Sequence, residues 1–203
     1  MNAYLLIALA YVAGATPTSY WVGRAVFGID LRDEGSGNLG ATNTFRVLGW
    51  KAALPVVVVD MAKGWFPVWY FTAIDDQAAW WWAVVYGTAA IVGHMFSFWV
   101  GFRGGKGVAT SGGIFVALAP WAVLICLGVF TVAVATTRIV SVGSILAAIT
   151  LPFAVAFTPH VGTNGLVWFS AGLGAFVVWA HRSNVGRLLR GEELGFRKSG
   201  ESS

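Results

Sequence analysis

Long apolar runs alternate with short polar breaks along the chain, and the runs have the length of helices rather than strands. Predominantly apolar stretches cover residues 3–22, 52–73, 79–100, 139–157 and 165–181. Each is close to the roughly 20 residues that an α-helix needs to cross a bilayer. The stretch 108–137 can be taken either as one helix or, divided at Pro120, as two. Divided, it gives helices at 108–119 and 121–137, the first only about 18 Å long at 1.5 Å per residue and so short, tilted or re-entrant.

Charge chooses between these alternatives, because Lys and Arg accumulate in cytoplasmic loops. With the division at Pro120, Arg24, Arg32, Arg46, Lys51, Arg103, Lys106, Arg138, Arg182, Arg187, Arg190, Arg197 and Lys198 share one side of the membrane. Asp75, Asp76 and His160 fall on the other side, and Lys63 lies within a span. Undivided, the run would carry the basic tail to the outside. The pattern therefore predicts an all-α integral membrane protein of seven helices, at 3–22, 52–73, 79–100, 108–119, 121–137, 139–157 and 165–181, with the N-terminus out and the C-terminus in.

Composition agrees, since 57% hydrophobic and 11% charged residues exceed the apolar share of a soluble domain. At 203 residues, with no Ser-, Pro- or charge-rich linker, one domain is expected over 1–203. The first run lacks a basic n-region and is too long for a signal h-region, so it is expected to be retained as a helix. The lone Cys126 excludes a disulfide within the chain, and no Cys/His metal spacing is present. Within the second span, Asp60 and Lys63 stand three apart and are expected to pair with each other, a role in catalysis being the alternative. Trp80, Trp81 and Trp82 sit at a span end, as an interfacial aromatic belt would.

Three polar segments fall on the predicted inner side. The first is GSGNLGATNTFR at 35–46, where glycine turns accompany Ser36, Asn38, Thr42, Asn43 and Arg46. Such a set can donate several hydrogen bonds to a phosphate and bind a polyol; a plain turn-rich loop is the alternative. The second, GHMFSFWVGFRGGKGVAT at 93–110, holds His94, Arg103, Gly104, Gly105, Lys106, Gly107 and Thr110. Glycine lets backbone N–H groups approach an anion, and a helix starting near Val108 adds its N-terminal dipole. It is no P-loop, because Gly107 and not Ser or Thr follows Lys106 and no strand pattern precedes it. The third, HRSNVGRLLRGEE at 181–193, puts His181 and Asn184 on one helical face. There His181 could bind a hydroxyl, take its proton or cap a helix end.

In this order, the three segments resemble the cytoplasmic motifs of the bacterial acyl-phosphate:glycerol-3-phosphate acyltransferases. The resemblance implies a seven-helix enzyme of the bacterial inner membrane, active site to the cytoplasm, expected as a monomer with no cofactor, metal or nucleic acid. It implies an acyl phosphate donor, glycerol 3-phosphate as acceptor, and lysophosphatidate and inorganic phosphate as products, the first step of phospholipid synthesis. Arg103 stands where the family has lysine, preserving charge with a different fork of donors, and Ser97 where proline is common.

An acyl phosphate is an activated mixed anhydride, so the reaction calls for orientation and charge stabilisation rather than a covalent nucleophile. The His-x-x-x-x-Asp pattern of acyl-CoA acyltransferases is absent: Trp99, Gly165 and Gly186 stand five residues after His94, His160 and His181. On the resemblance, Gly104, Gly105, Lys106 and Gly107 take the donor phosphate. Ser36 and Arg46, helped by Lys106, take the acceptor phosphate. Asn38, Asn43, His181 and Asn184 orient hydroxyls and the reacting centre, with Thr42, His94, Arg103 and Thr110 completing the set. The general base is either His181 or, preferred here, a substrate phosphate. A phosphate or organophosphate transporter is the rival function, but it calls for midplane polar groups and inverted repeats.

Overall fold

The computed structural model describes residues 1–76 and 79–195, and every regular element among them is helical. Residues Met1–Pro120 with His160–Gly162 form one compact unit, and Trp121–Pro159 with the residues from Thr163 onward form a second. Five helical stretches are long and apolar enough to cross a membrane, namely Ala3–Phe27, Trp50–Ile74, Trp81–Val100, Pro120–Thr137 and Val140–Phe157. Two shorter apolar helices, Val108–Leu118 and Gly165–Ala180, lie between and after them.

The first unit opens with α1 (Ala3–Ala15) and α2 (Thr18–Phe27). The sequence predicts one continuous helix over 3–22, and the structure breaks it at Thr16 and Pro17. The cause is local: proline lacks the N–H a helix interior needs and pushes the residue before it away from helical dihedrals. Thr16 has φ −56° and ψ 110°. Helix α2 then runs on to Phe27 and stops at Gly28, whose φ of 71° is the left-handed closing conformation.

After the short α3 (Ala41–Leu48), α4 (Trp50–Phe66) continues through a wide π-helical turn at Pro67–Phe71 into α5 (Thr72–Ile74). Next come α6 (Trp81–Met95), a 3₁₀ turn at Phe98–Val100 and α7 (Val108–Leu118). Glycines set two close helix crossings. A Cβ on Gly14 of α1 would fall on the Ala90 carbonyl, and one on Gly93 of α6 on that of Tyr11. A Cβ on Gly64 of α4 would likewise fall on the Thr110 carbonyl, and one on Gly113 of α7 on that of Met61. In lipid, where helices gain little from burying oil against oil, such small-residue contacts let backbones pack closely.

At one end of this unit the Met1 ammonium donates to the Ile74 carbonyl at 2.8 Å and to Asp76 at 2.9 Å, and the Tyr86 hydroxyl donates to Asp75 at 2.5 Å. Near the other end, buried Leu31, Leu39 and Val100 form one cluster. That cluster joins the first polar segment to the 3₁₀ turn within the second.

The second unit comprises α8 (Pro120–Thr137), α9 (Val140–Phe157), α10 (Gly165–Ala180) and α11 (Arg182–Leu189). Helix α8 begins at the predicted proline division and buries little of its surface, only Ala122 and Ala133 being enclosed. Helices α9 and α10 meet where Gly174 approaches the Ala148 carbonyl.

Candidate active site

The first polar loop is held by two buried polar residues. Asp30, on the turn after α2, accepts from Arg24 at 3.1 Å and from the Arg32 guanidinium at 2.7 Å, and caps the Arg32 N–H at 3.0 Å. The Arg32 guanidinium, first among these influences, outweighs burial and holds the Asp30 carboxyl at about 2. The same pairing pushes Arg32 upward, and its guanidinium lies 5.0 Å from the Tyr20 ring centre. Two of the basic residues counted by the inside rule are therefore committed to Asp30.

Asn43, 1% exposed, does the corresponding work from α3. Its amide donates to the carbonyls of Leu31 and Glu34 at 3.0 and 2.9 Å. Its oxygen accepts from the Ser36 N–H at 2.8 Å and the Ser36 hydroxyl at 3.1 Å. Both N–H bonds of the side-chain amide and its oxygen are thus used within the protein. Asn43 shapes the loop, and Ser36 is the exposed member of the two.

The glycine cassette folds back onto the end of α6. The Gly104 N–H donates to the Met95 carbonyl at 2.9 Å and the Gly105 N–H to the His94 carbonyl at 3.2 Å. The sequence predicts these N–H groups as anion donors, but the orphan carbonyls at a helix C-terminus have claimed them. A Cβ on Gly105 would meet the His94 ring at Nε2 and the Leu39 carbonyl, so this glycine allows the first and second segments to touch. Gly107, at φ 77°, then starts α7 without a side-chain cap. The first-turn N–H groups of Val108, Ala109 and Thr110 are the backbone donors that helix geometry leaves unpaired at this end, next to Lys106.

Beneath the cassette lies a buried polar cluster. Asp60 and Lys63 pair at 2.8 Å within α4, as expected. The Thr18 hydroxyl donates to Asp60 at 3.1 Å, and the Lys63 ammonium donates to the Thr16 carbonyl at 3.0 Å. His94 Nδ1 lies 4.0 Å from the same Asp60 oxygen. His94 Nδ1, Thr110 Oγ1 and Ser111 Oγ are buried polar atoms without a hydrogen-bond partner. The Ser97 hydroxyl, enclosed at 1% exposure, donates to the Ala15 carbonyl at the α1–α2 break.

In the second unit, His181 sits between α10 and α11, 4% exposed. Its Nδ1 lies 2.8 Å from the Val177 carbonyl, which requires that nitrogen to carry the proton and assigns the acceptor position of a neutral ring to Nε2. Asn184 donates to Glu193 at 2.5 Å, and the same carboxylate accepts from Ser141 at 2.8 Å and Arg187 at 2.7 Å. Burial alone would raise the Glu193 carboxyl, but the hydrogen bonds from Asn184, Ser141 and Arg187 hold it below the usual range.

Of the sequence-predicted residues, Ser36, Asn38, Thr42, Asn43, Arg46, His94, Arg103, Gly104, Gly105, Lys106, Gly107 and Thr110 all lie in the first unit, and His181 and Asn184 in the second. The structure joins Ser36 to Asn43 and joins Gly105 to His94 and Leu39. Arg103 is exposed, while Lys106 and Arg46 are half-buried. Sequence reasoning gave no role to Asp30 or Glu193; the Asp-x-Arg spacing at 30–32 and the acidic pair closing a basic tail were the available signals.

A family model described as glycerol-3-phosphate acyltransferase matches residues 4–191. A glycerol-3-phosphate acyltransferase of Synechococcus sp. is 46% identical over 93% of this chain and 91% of its own length. One from Fusobacterium nucleatum is 40% identical over 97% of this chain and 100% of its own. Among solved structures, the glycerol 3-phosphate form of PlsY, an integral membrane glycerol 3-phosphate acyltransferase, is similar with a TM-score of 0.84 and 36% identity, covering 96% of each chain. Its lysophosphatidic acid form gives a TM-score of 0.82 at 34% identity, covering 96% of this chain and 95% of that one.

Proposed function

Because the chain belongs to the glycerol-3-phosphate acyltransferase family, we propose that it transfers a fatty acyl group from acyl phosphate to the 1-hydroxyl of sn-glycerol 3-phosphate. The products are lysophosphatidate and inorganic phosphate. The observation that carries this reading is the junction at Gly105, where the two polar segments of the first unit touch beside Lys106 and the uncapped start of α7.

In the reaction, the 1-hydroxyl oxygen bonds to the acyl carbonyl carbon, the bond from that carbon to the phosphate oxygen breaks, and the phosphate leaves with the electron pair. The first-turn N–H groups of α7 and Lys106 stabilise the charge that grows on that leaving group. Ser36 and Arg46 bind the phosphate of the acceptor, Arg46 as a bidentate fork. Asn38 and Thr42 bind its hydroxyls, and Asn43 sets the position of Ser36. Gly104 and Gly105 act by close approach rather than as donors. The hydroxyl proton passes to a substrate phosphate oxygen. His181 and Asn184 serve the reacting hydroxyl, a role assigned from the motif in which they stand; His94, Arg103 and Thr110 line the donor side.

The same reading places seven spans in the bacterial inner membrane as a monomer, N-terminus out, C-terminus in, with the site on the cytoplasmic face. The one-sided distribution of Lys and Arg supports it. Purified protein given acyl phosphate and glycerol 3-phosphate should release phosphate and form lysophosphatidate, and Lys106→Ala or Arg46→Ala should abolish turnover in a folded protein. Product from acyl-CoA alone would overturn the donor. Phosphate uptake into sealed vesicles without acylation would make the protein a transporter.

A further inference from the structure

We propose that Asp60 is a positioning residue for this site, acting through the His94 ring to hold the glycine cassette at the start of α7. The inference rests on the cassette being the donor-phosphate site, and its test is chosen to fail separately.

Asp60, Lys63 and His94 are 2%, 7% and 7% exposed. A buried pair needs partners for its remaining lone pairs and N–H groups, and one group beside this pair, His94, belongs to the residues that hold the cassette. Here the carboxylate oxygen facing Lys63 at 2.8 Å also receives Thr18 at 3.1 Å and lies 4.0 Å from His94 Nδ1. That ring nitrogen has no hydrogen-bond partner, so the carboxylate acts on the ring through its field, which low surrounding polarity strengthens. The opposite edge of the ring, Nε2, occupies the space that a side chain at Gly105 would take. The backbone repeats the connection, His94 and Met95 carbonyls receiving the Gly105 and Gly104 N–H groups. Helix α4 thereby sets the ring, the ring sets Gly105, and Gly105 leads one residue on to Lys106.

Lys63 fixes the other side of the arrangement. Its ammonium reaches the Thr16 carbonyl at 3.0 Å, so the break in the first span is the anchor for the pair. Removing one partner leaves the other charge buried and uncompensated, whereas removing both restores neutrality.

The experiment compares Asp60→Asn, Asp60→Asn/Lys63→Met and Asp60→Asn in a His94→Gln background, reading thermal stability, kcat and KM. Asp60→Asn should lower kcat/KM by about 100-fold, the order of effect that misplacing a binding group by about 1 Å produces. The double variant should regain thermal stability but not the rate. In the His94→Gln background, Asp60→Asn should add less than about 3-fold, because two residues on one route are not additive. If the charge-balanced double variant recovers its rate along with its stability, or if Asp60→Asn costs its full factor without His94, Asp60 is structural only and the proposal is overturned.

Positioning also has a readout independent of turnover. In ¹⁵N-labelled protein without substrate, Asp60→Asn should shift the Gly105 amide resonance, and an unmoved resonance overturns the proposal. Should Asp60→Asn not fold, Asp60→Glu keeps the charge while moving the carboxylate, and must shift the same resonance and lower kcat/KM. A wild-type protein that turns over no acyl phosphate would overturn the functional reading alone, leaving the amide shift to judge the positioning.

Discussion

Asn43 holds Ser36 twice, accepting from its N–H at 2.8 Å and from its hydroxyl at 3.1 Å. The exposed serine of the first polar loop is therefore placed by a buried amide seven residues ahead of it.

Asn43→Ala should destabilise the protein by about 2–4 kcal/mol, because it leaves the buried Leu31 carbonyl, the part-buried Glu34 carbonyl and the Ser36 N–H without their partner. Ser36→Ala removes one hydroxyl bond and should cost about 1 kcal/mol. Thermal unfolding in detergent compares them, and equal midpoints for the two variants would deny Asn43 its role as the loop's hub.

Adjacent glycines on α7 should respond in opposite directions. A Cβ on Gly113 would fall on the Met61 carbonyl, whereas on Gly112 the nearest atom is the Met61 methyl at 3.9 Å. Gly113→Ala should destabilise by about 1–3 kcal/mol through overpacking. Gly112→Ala should be neutral or stabilise by about 0.5–1 kcal/mol through helix propensity. The difference between their unfolding midpoints measures the closeness of the α4–α7 crossing.

Acid should loosen the first loop through Asp30. Its carboxyl is depressed from 3.8 to about 2 in the fold, so the stability it contributes is complete above the unfolded value and is lost as pH falls through the folded one. Between pH 5 and 2, wild type should lose more stability than Asp30→Asn, which lacks the titrating group. Parallel curves for the two proteins over that range would show that Asp30 contributes nothing of this kind.

Ser97→Ala should cost about 1–3 kcal/mol, since it strips the enclosed Ala15 carbonyl of its donor. Ser97→Pro should be milder than alanine. The Ser97 φ of −72° already suits proline, which stiffens the unfolded chain. Equal thermal-unfolding midpoints for the two variants would deny proline that advantage.

Much of the architecture was legible in the apolar runs, and the proline at 120 correctly divided the longest one, because a proline at a helix start is a purely local cause. Pro17 carried a similar signal, yet apolar continuity on either side of it suggested one helix; the runs report lipid exposure, not unbroken hydrogen bonding. The pairing of Asp60 with Lys63 followed from helical spacing alone. What the spacing could not reveal was the third party, since His94 approaches from another helix, α6.

Site chemistry was legible as residue types and less so as roles. Glycine density in the cassette announced close backbone approach, but whether the neighbour is an anion or a carbonyl is decided by tertiary structure. Gly104 and Gly105 turned out to approach carbonyls. Asn43 and Ser36 look equivalent in the sequence, and only the inward path of the loop separates the organiser from the exposed hydroxyl. Glu193 lay hidden in a tail dominated by arginines, although it gathers Asn184, Arg187 and Ser141.

The ion pair in α4 also bears on how the protein is made. Asp60 and Lys63 stand one turn apart on a single helix, so their contact can form as soon as that turn winds, before any neighbouring segment has arrived. The two charges in the middle of the second span then balance each other, with no need of a counter-charge from a later helix. Thr16 and Thr18, already synthesised upstream, are available to receive the pair, and His94 joins only when the third span follows.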